Sequence, residues 1–156
     1  MRRMSRRAGT IVFAAQLAAV HVAVPLELSR AGPRHGWRVR RPGRANLSGL
    51  FPLAAGAAVL GWAVAQHYAS AEEGWGVEPG YLLTDGPYRH SRNPMYVGGA
   101  AIWGGWAVLF GSAPVAAGLA VLTGVYRAGV AWEERTLERR WGDEWRVYAA
   151  RTPRWL

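Results

Sequence analysis

Residues 93–126 read NPMYVGGAAIWGGWAVLFGSAPVAAGLAVLTGVY, 34 positions without a charged side chain. As one helix the run would be about 51 Å long at 1.5 Å per residue, far more than the roughly 30 Å hydrocarbon core of a bilayer. Gly111, Ser112, Ala113 and Pro114 sit at its middle and mark a turn, because proline cannot donate the helical N–H and suits a first helical turn. The run therefore reads as a tight helical hairpin, 94–110 and 114–132, each arm just long enough to span. Small residues four apart (Ala100 and Gly104, Ala101 and Gly105, Ala107 and Gly111) are expected to let the two arms approach closely.

Composition agrees with a membrane setting. Hydrophobic residues make up 51% of the 156 positions, and all 19 basic residues are arginine, giving a formal charge of +9. A mean hydropathy of −0.04 is the average of very apolar segments and very basic connectors. With no cysteine, disulfide frameworks, thiolate metal sites, haem attachment and Cys nucleophiles are excluded, and no metal site is expected. The arginines flank apolar spans instead of lining one amphipathic face, so the charge is read as meeting anionic lipid, not nucleic acid.

Four arginines precede an apolar run over 8–26, which is long enough to cross a bilayer. A basic start before an apolar run also describes a secretory signal, but this one is long for a signal core and is read as an uncleaved first span. His21 lies within it, and an ionisable residue at membrane depth is a functional candidate. The simpler reading is a neutral histidine bonded to a neighbouring helix. Residues 30–44 form a basic connector with Pro33, Gly36, Pro42 and Gly43, where Trp37 and six arginines suit lipid headgroups. A second span covers 47–69, with His67 near its far end. Beyond 133, Trp141, Trp145 and Tyr148 share a helical face, as expected of an amphipathic interfacial tail that Gly142-Asp143 can break.

The polar loop 72–92, with breakers Gly74, Gly76, Gly80 and Gly86, ends in Gly86-Pro87-Tyr88-Arg89-His90-Ser91-Arg92-Asn93-Pro94-Met95-Tyr96-Val97-Gly98. Pro94 keeps Asn93 out of helical geometry and opens a helix whose first N–H groups point back at the loop. An antiparallel hairpin brings this mouth beside Glu133-Glu134-Arg135, at a spacing of roughly 10 Å. Arginines at a helix mouth suit a carboxylate, and paired glutamates suit an ammonium or hydroxyls, so together they complement a zwitterionic ligand. An Arg/Glu belt that only anchors the hairpin is the plainer alternative.

The order Gly86-Pro-Tyr-Arg-x-x-Arg-Asn-Pro-Met-Tyr-x-Gly, hairpin, Glu133-Glu134-Arg-x-Leu137, Trp141-Gly-x-Glu144-Trp-x-x-Tyr148 and Pro153-Arg154 resembles the integral-membrane methyltransferases. These comprise the isoprenylcysteine carboxyl methyltransferase and phospholipid methyltransferase families. The resemblance covers about half of the chain, from Gly80 onward. It implies S-adenosylmethionine at the cytosolic mouth of the hairpin and a lipophilic acceptor arriving from the bilayer. Carried over by position, Tyr88, Arg92, Asn93, Pro94, Met95, Tyr96, Gly98, Glu133 and Glu134 would hold the cofactor, with the 141–154 tail helping to enclose it. Isoprenylcysteine enzymes usually have His where Asn93 stands, whereas Asn-Pro-Met-Tyr also occurs on the phospholipid side.

A sulfonium methyl is already electrophilic, so the protein mainly aligns the nucleophile. A carboxylate acceptor needs no base, whereas an amine must lose a proton, for which Glu133, Glu134 or His90 could serve. Arg92, Glu133 and His90 are thus the candidates for catalysis. Membrane sterol and enone reductases share a similar hairpin but use NADPH, whose 2′-phosphate an acidic pair suits poorly; a non-enzymatic membrane scaffold is the other alternative. The expected fold is an all-α polytopic membrane protein, a single domain over 1–156. It comprises two N-terminal spans in 1–71 and a catalytic half over 80–156, with about four transmembrane helices and an interfacial tail helix. Thirteen arginines on the side of the termini and polar loop, against six on the other, place the former in the cytoplasm.

Overall fold

The computed structural model describes residues 6–70 and 81–156. Arg2, Arg3 and the loop positions Glu72, Gly74, Gly76 and Gly80 lie outside the described residues. Among the described residues the chain is helical apart from one small β-hairpin. Helix α1 (Arg6–Ala18) passes through a π-helical turn (Ala19–Ala23) into α2 (Val24–Leu28). Strands β1 (Trp37–Arg38) and β2 (Arg41–Pro42) pair antiparallel, with Val39 and Arg40 left-handed between them. Then come α3 (Arg44–Leu47), α4 (Leu50–Ser70), a 3₁₀ turn (Gly86–Arg89), α5 (Pro94–Phe110) and α6 (Ala113–Arg151).

Three helical stretches, Gly9–Leu28, Arg44–Ser70 and Ala113–Arg151, are long and apolar enough to cross a membrane. Apolar α5, at 17 residues, reaches about 26 Å. This is an all-α integral membrane protein. The tail expected as a separate element from 133 is instead continuous with α6, because no helix breaker intervenes before Gly142. There φ 50° and ψ −117° bend the helix sharply, a conformation open to glycine alone at low cost.

The close helix approach also differs from expectation. It joins α4 to α5, not the two arms of the α5–α6 hairpin. A Cβ on Gly98 would stand 2.8 Å from the Gly56 carbonyl oxygen, and one on Gly105 would stand 2.7 Å from that of Gly49. Gly104, assigned to the hairpin seam from sequence, has only a Leu119 methyl at 4.0 Å. The glycines thus bring two backbones together, gaining the dispersion contacts that drive helix association in lipid.

Backbone accounting explains how the first span joins this pair. Pro25 has no N–H, so the His21 carbonyl four residues earlier has no helical donor. The Val24 N–H bonds to Ala19, five residues back, which frees the Val20 carbonyl as well. Trp106 Nε1–H donates to the His21 oxygen at 2.8 Å and Trp103 Nε1–H to the Val20 oxygen at 3.1 Å. Two tryptophans of α5 therefore satisfy what the π-turn releases.

At the other end of α5, left-handed Gly111 (φ 54°) closes the helix. Buried Asn46 donates to the Val108 and His35 carbonyls at 3.0 Å each, and Trp37 Nε1–H donates to Leu109 at 2.8 Å. Trp37, expected to face headgroups, is folded against Phe110 with Arg34 above both rings. Ser112 then caps α6, accepting from the Val115 N–H.

Gly98→Ala should lower the unfolding temperature in detergent by several degrees, because its methyl meets backbone. Gly61→Ala, with nothing within 4 Å, should raise stability by up to about 1 kcal/mol. Equal effects at both positions would contradict the packing described.

Candidate functional site

The mouth of α5 is built by two segments distant in sequence. Asn93 sits at φ −133°, ψ 51° before Pro94 and does not cap the helix with its side chain. Instead Asn93 Nδ2–H donates to the Arg154 carbonyl at 3.0 Å, and Ser91 Oγ–H donates to the same oxygen at 3.3 Å. The Arg92 N–H donates to the Pro153 carbonyl at 2.9 Å, and Tyr148 O–H to that of Tyr88 at 2.8 Å. The Gly142 bend makes this possible by returning the last turns of α6 to the loop.

Charge completes the closure. Buried Glu134 lies between two guanidinium groups: Arg92 Nε–H reaches Oε1 at 3.0 Å and Arg154 Nε–H reaches Oε2 at 2.9 Å. Arg92 also donates to the Ala149 carbonyl at 2.7 Å and stands 5.6 Å from the Trp145 ring centroid. Clusters expected about 10 Å apart are thus in direct contact. Glu134 and Arg92 are 10% and 12% exposed, so the pair is largely desolvated; loss of Glu134 would strand Arg92, and loss of Arg92 would leave Glu134 to Arg154 alone.

Glu133 points elsewhere, one residue and about 100° round the helix. Tyr96 O–H donates to its Oε2 at 3.1 Å, and no donor among the described residues meets Oε1. The Tyr96 ring stands edge-on to Tyr126, centroids 4.8 Å apart, and the Tyr126 hydroxyl lies 3.1 Å from His21 Nε2. Burial, with the Glu133 charge adding to it, holds the Tyr88 phenol well above its ordinary range, so Tyr88 stays neutral. The Trp141 Nε1–H is buried with no partner among the described residues. Seven residues beyond Glu134, it lies on nearly the same helical face.

The remaining candidates separate from this group. His90 is exposed and faces the Trp62 ring of α4, centroids 6.4 Å apart. Gly98 abuts Gly56 and Leu60, so its contact is with α4. The His67 ring lies tilted to that of Tyr81, centroids 6.2 Å apart, and the Tyr81 hydroxyl donates to the His67 carbonyl. Pro94 is buried and Met95 half-buried at the mouth. An open groove of about 660 Å³ spans the Gly142 bend, lined by Trp132, Arg135, Glu138, Arg139 and Arg146, and none of the expected site residues lines it. Sequence reasoning missed Tyr126. Its signal was position, since Tyr96 and Tyr126 lie almost equally far from the turn at 111–112 and so face each other when the run folds back.

Against known proteins, the sequence matches the phospholipid methyltransferase family over residues 55–144, more than half of the chain. The chain belongs to that family. No curated protein and no solved structure gives a significant match. In this membrane methyltransferase the matched region carries Arg92 to Tyr96 and Glu133-Glu134, while Trp145, Tyr148 and Arg154, which close the mouth, lie beyond it.

Arg92→Ala should destabilise the protein by about 3 kcal/mol, the cost of leaving a buried partner half-paired. Arg92→Lys should recover only part of this, because an ammonium cannot reproduce the planar fork. Thermal unfolding in detergent measures both, and a wild-type midpoint for Arg92→Ala would remove Glu134 as the anchor of the tail.

Proposed function

We propose that this methyltransferase uses S-adenosylmethionine to methylate a lipophilic acceptor, an isoprenylcysteine-type carboxylate or a lipid headgroup, at the cytosolic membrane face. The observation that carries the reading is the pairing of Tyr96 with Glu133 beside a closed Arg92–Glu134–Arg154 cluster, of which Tyr96, Glu133, Arg92 and Glu134 fall within the region that matches the family. Glu133 is the residue best placed to hold the donor, because one carboxylate oxygen remains open while the other is fixed by Tyr96. The Trp141 Nε1–H, which has no partner among the described residues, offers a further donor on the Glu134 face. These residues fit a zwitterionic group that carries both acceptors and donors.

S-adenosylmethionine would supply an electrophilic methyl group. The chain's own work is then orientation. Arg92, Glu134 and Arg154 hold the tail over the mouth; Met95, Tyr96 and Pro94 form its wall. For an amine acceptor the Glu133 carboxylate is the candidate base, since His90 faces Trp62. Arg92, already committed to Glu134 and Ala149, acts through the closure it maintains. The cytosolic assignment rests on the arginine excess on the side of the termini and polar loop.

Isothermal titration of detergent-purified protein should show binding of S-adenosylhomocysteine and none of NADPH. Glu133→Gln should weaken that binding by about tenfold or more, the worth of a charged hydrogen bond, while the protein still inserts and unfolds near the wild-type temperature. Unchanged affinity in Glu133→Gln would sink the assignment, and binding of neither ligand would point to a scaffold.

A further inference from the structure

His21, in the π-helical turn of the first span, is 6% exposed although it can carry charge. Its Nδ1 lies 3.1 Å from the Leu17 carbonyl oxygen and its Nε2 lies 3.1 Å from the Tyr126 hydroxyl. A carbonyl only accepts, so in the neutral ring Nδ1 carries the hydrogen and Nε2 accepts from Tyr126 O–H. The bond passes over the backbone of α5 at Gly99, where a Cβ would stand 2.5 Å from Nε2 and 2.8 Å from the Tyr126 oxygen. Any side chain at position 99 would separate the two groups.

From Tyr126 the contacts continue to the mouth. Its ring meets Tyr96 edge-on at 4.8 Å, with 63° between the planes, and Tyr96 O–H holds Glu133 at 3.1 Å. Each side chain is confined by the one before it: Tyr126 by His21, Tyr96 by Tyr126, the Glu133 carboxylate by Tyr96. A confined carboxylate loses less rotamer freedom when a ligand binds.

We propose that His21 is a positioning residue of the methyl-donor site, setting the Glu133 carboxylate through Tyr126 and Tyr96. This couples the first span to ligand binding between the last two. The inference rests on the donor-binding role of Glu133 proposed above. A histidine that merely fastened the first span to α6 would support stability alone.

The test compares S-adenosylhomocysteine affinity by isothermal titration in wild type, His21→Ala, Tyr96→Phe and the double variant, at neutral pH in detergent. His21→Ala and Tyr96→Phe should each weaken binding about tenfold. The double variant should bind no more weakly than Tyr96→Phe alone, because His21 acts only through the bond that Tyr96→Phe removes. Tyr126→Phe, which deletes one hydroxyl and keeps the ring, should resemble His21→Ala and carries the comparison if His21→Ala does not fold. Wild-type affinity in His21→Ala, or losses that multiply in the double variant, would overturn the positioning role while leaving the donor site intact. Failure of the wild-type protein to bind would overturn the donor reading itself.

Discussion

One carboxylate holds the site end of this protein together. Glu134 is buried and would be unstable there alone, yet it accepts from Arg92 at the mouth of α5 and from Arg154 beyond the end of α6. Three segments far apart in sequence therefore meet at one group. Arg92 is as desolvated as Glu134, whereas Arg154 is half-exposed, so losing Arg92 would leave a buried carboxylate with one half-exposed partner and the closure depends most on Arg92. Hydrogen bonds from Ser91 and Asn93 to the Arg154 carbonyl reinforce it with neutral contacts.

The division of labour between adjacent glutamates follows from helical geometry. Neighbouring positions on a helix face directions about 100° apart, so Glu134 turns to the arginines and Glu133 to Tyr96. An acidic pair that looks redundant in sequence is thus one structural anchor and one group that, among the described residues, meets only the Tyr96 hydroxyl. The bend at Gly142 is what allows the anchor to be reached. A straight helix of 39 residues would be about 58 Å long and would carry Trp145 and Tyr148 away from the loop.

Much of this was legible in the sequence because charge is costly in lipid. The uncharged stretch 93–126 could only fold back, which placed Arg92 near Glu134 and fixed the turn at Gly111 and Pro114. Family motifs then supplied the chemistry. What stayed hidden depended on which faces meet. Gly98 and Gly105 carry no sign of whether their neighbour is α4 or α6, and the four-residue spacing of small residues suggested the wrong one. The π-turn was hidden too, although Pro25 announced a carbonyl without a donor; only the tryptophans of α5 show how that carbonyl is satisfied. Gly142 was read as a break, but the continuity of α6 before it was not.

The glycine seam between α4 and α5 also bears on how the molecule can breathe. Gly49, just before α4, and Gly56 within it oppose Gly105 and Gly98 of α5, seven residues apart in each case, so the contact recurs every two turns. Main chain against main chain has no rotamers to exchange, and this pair forms a stiff spine. The first span and α6 meet α5 through side chains, Trp103 and Trp106 towards the π-turn and Leu119 from α6, while the His21–Tyr126 bond fastens those two elements to each other over Gly99. Side chains, unlike main chain, have rotamers to exchange, so what compliance the bundle has lies along those two seams and away from the His21–Tyr126 bond.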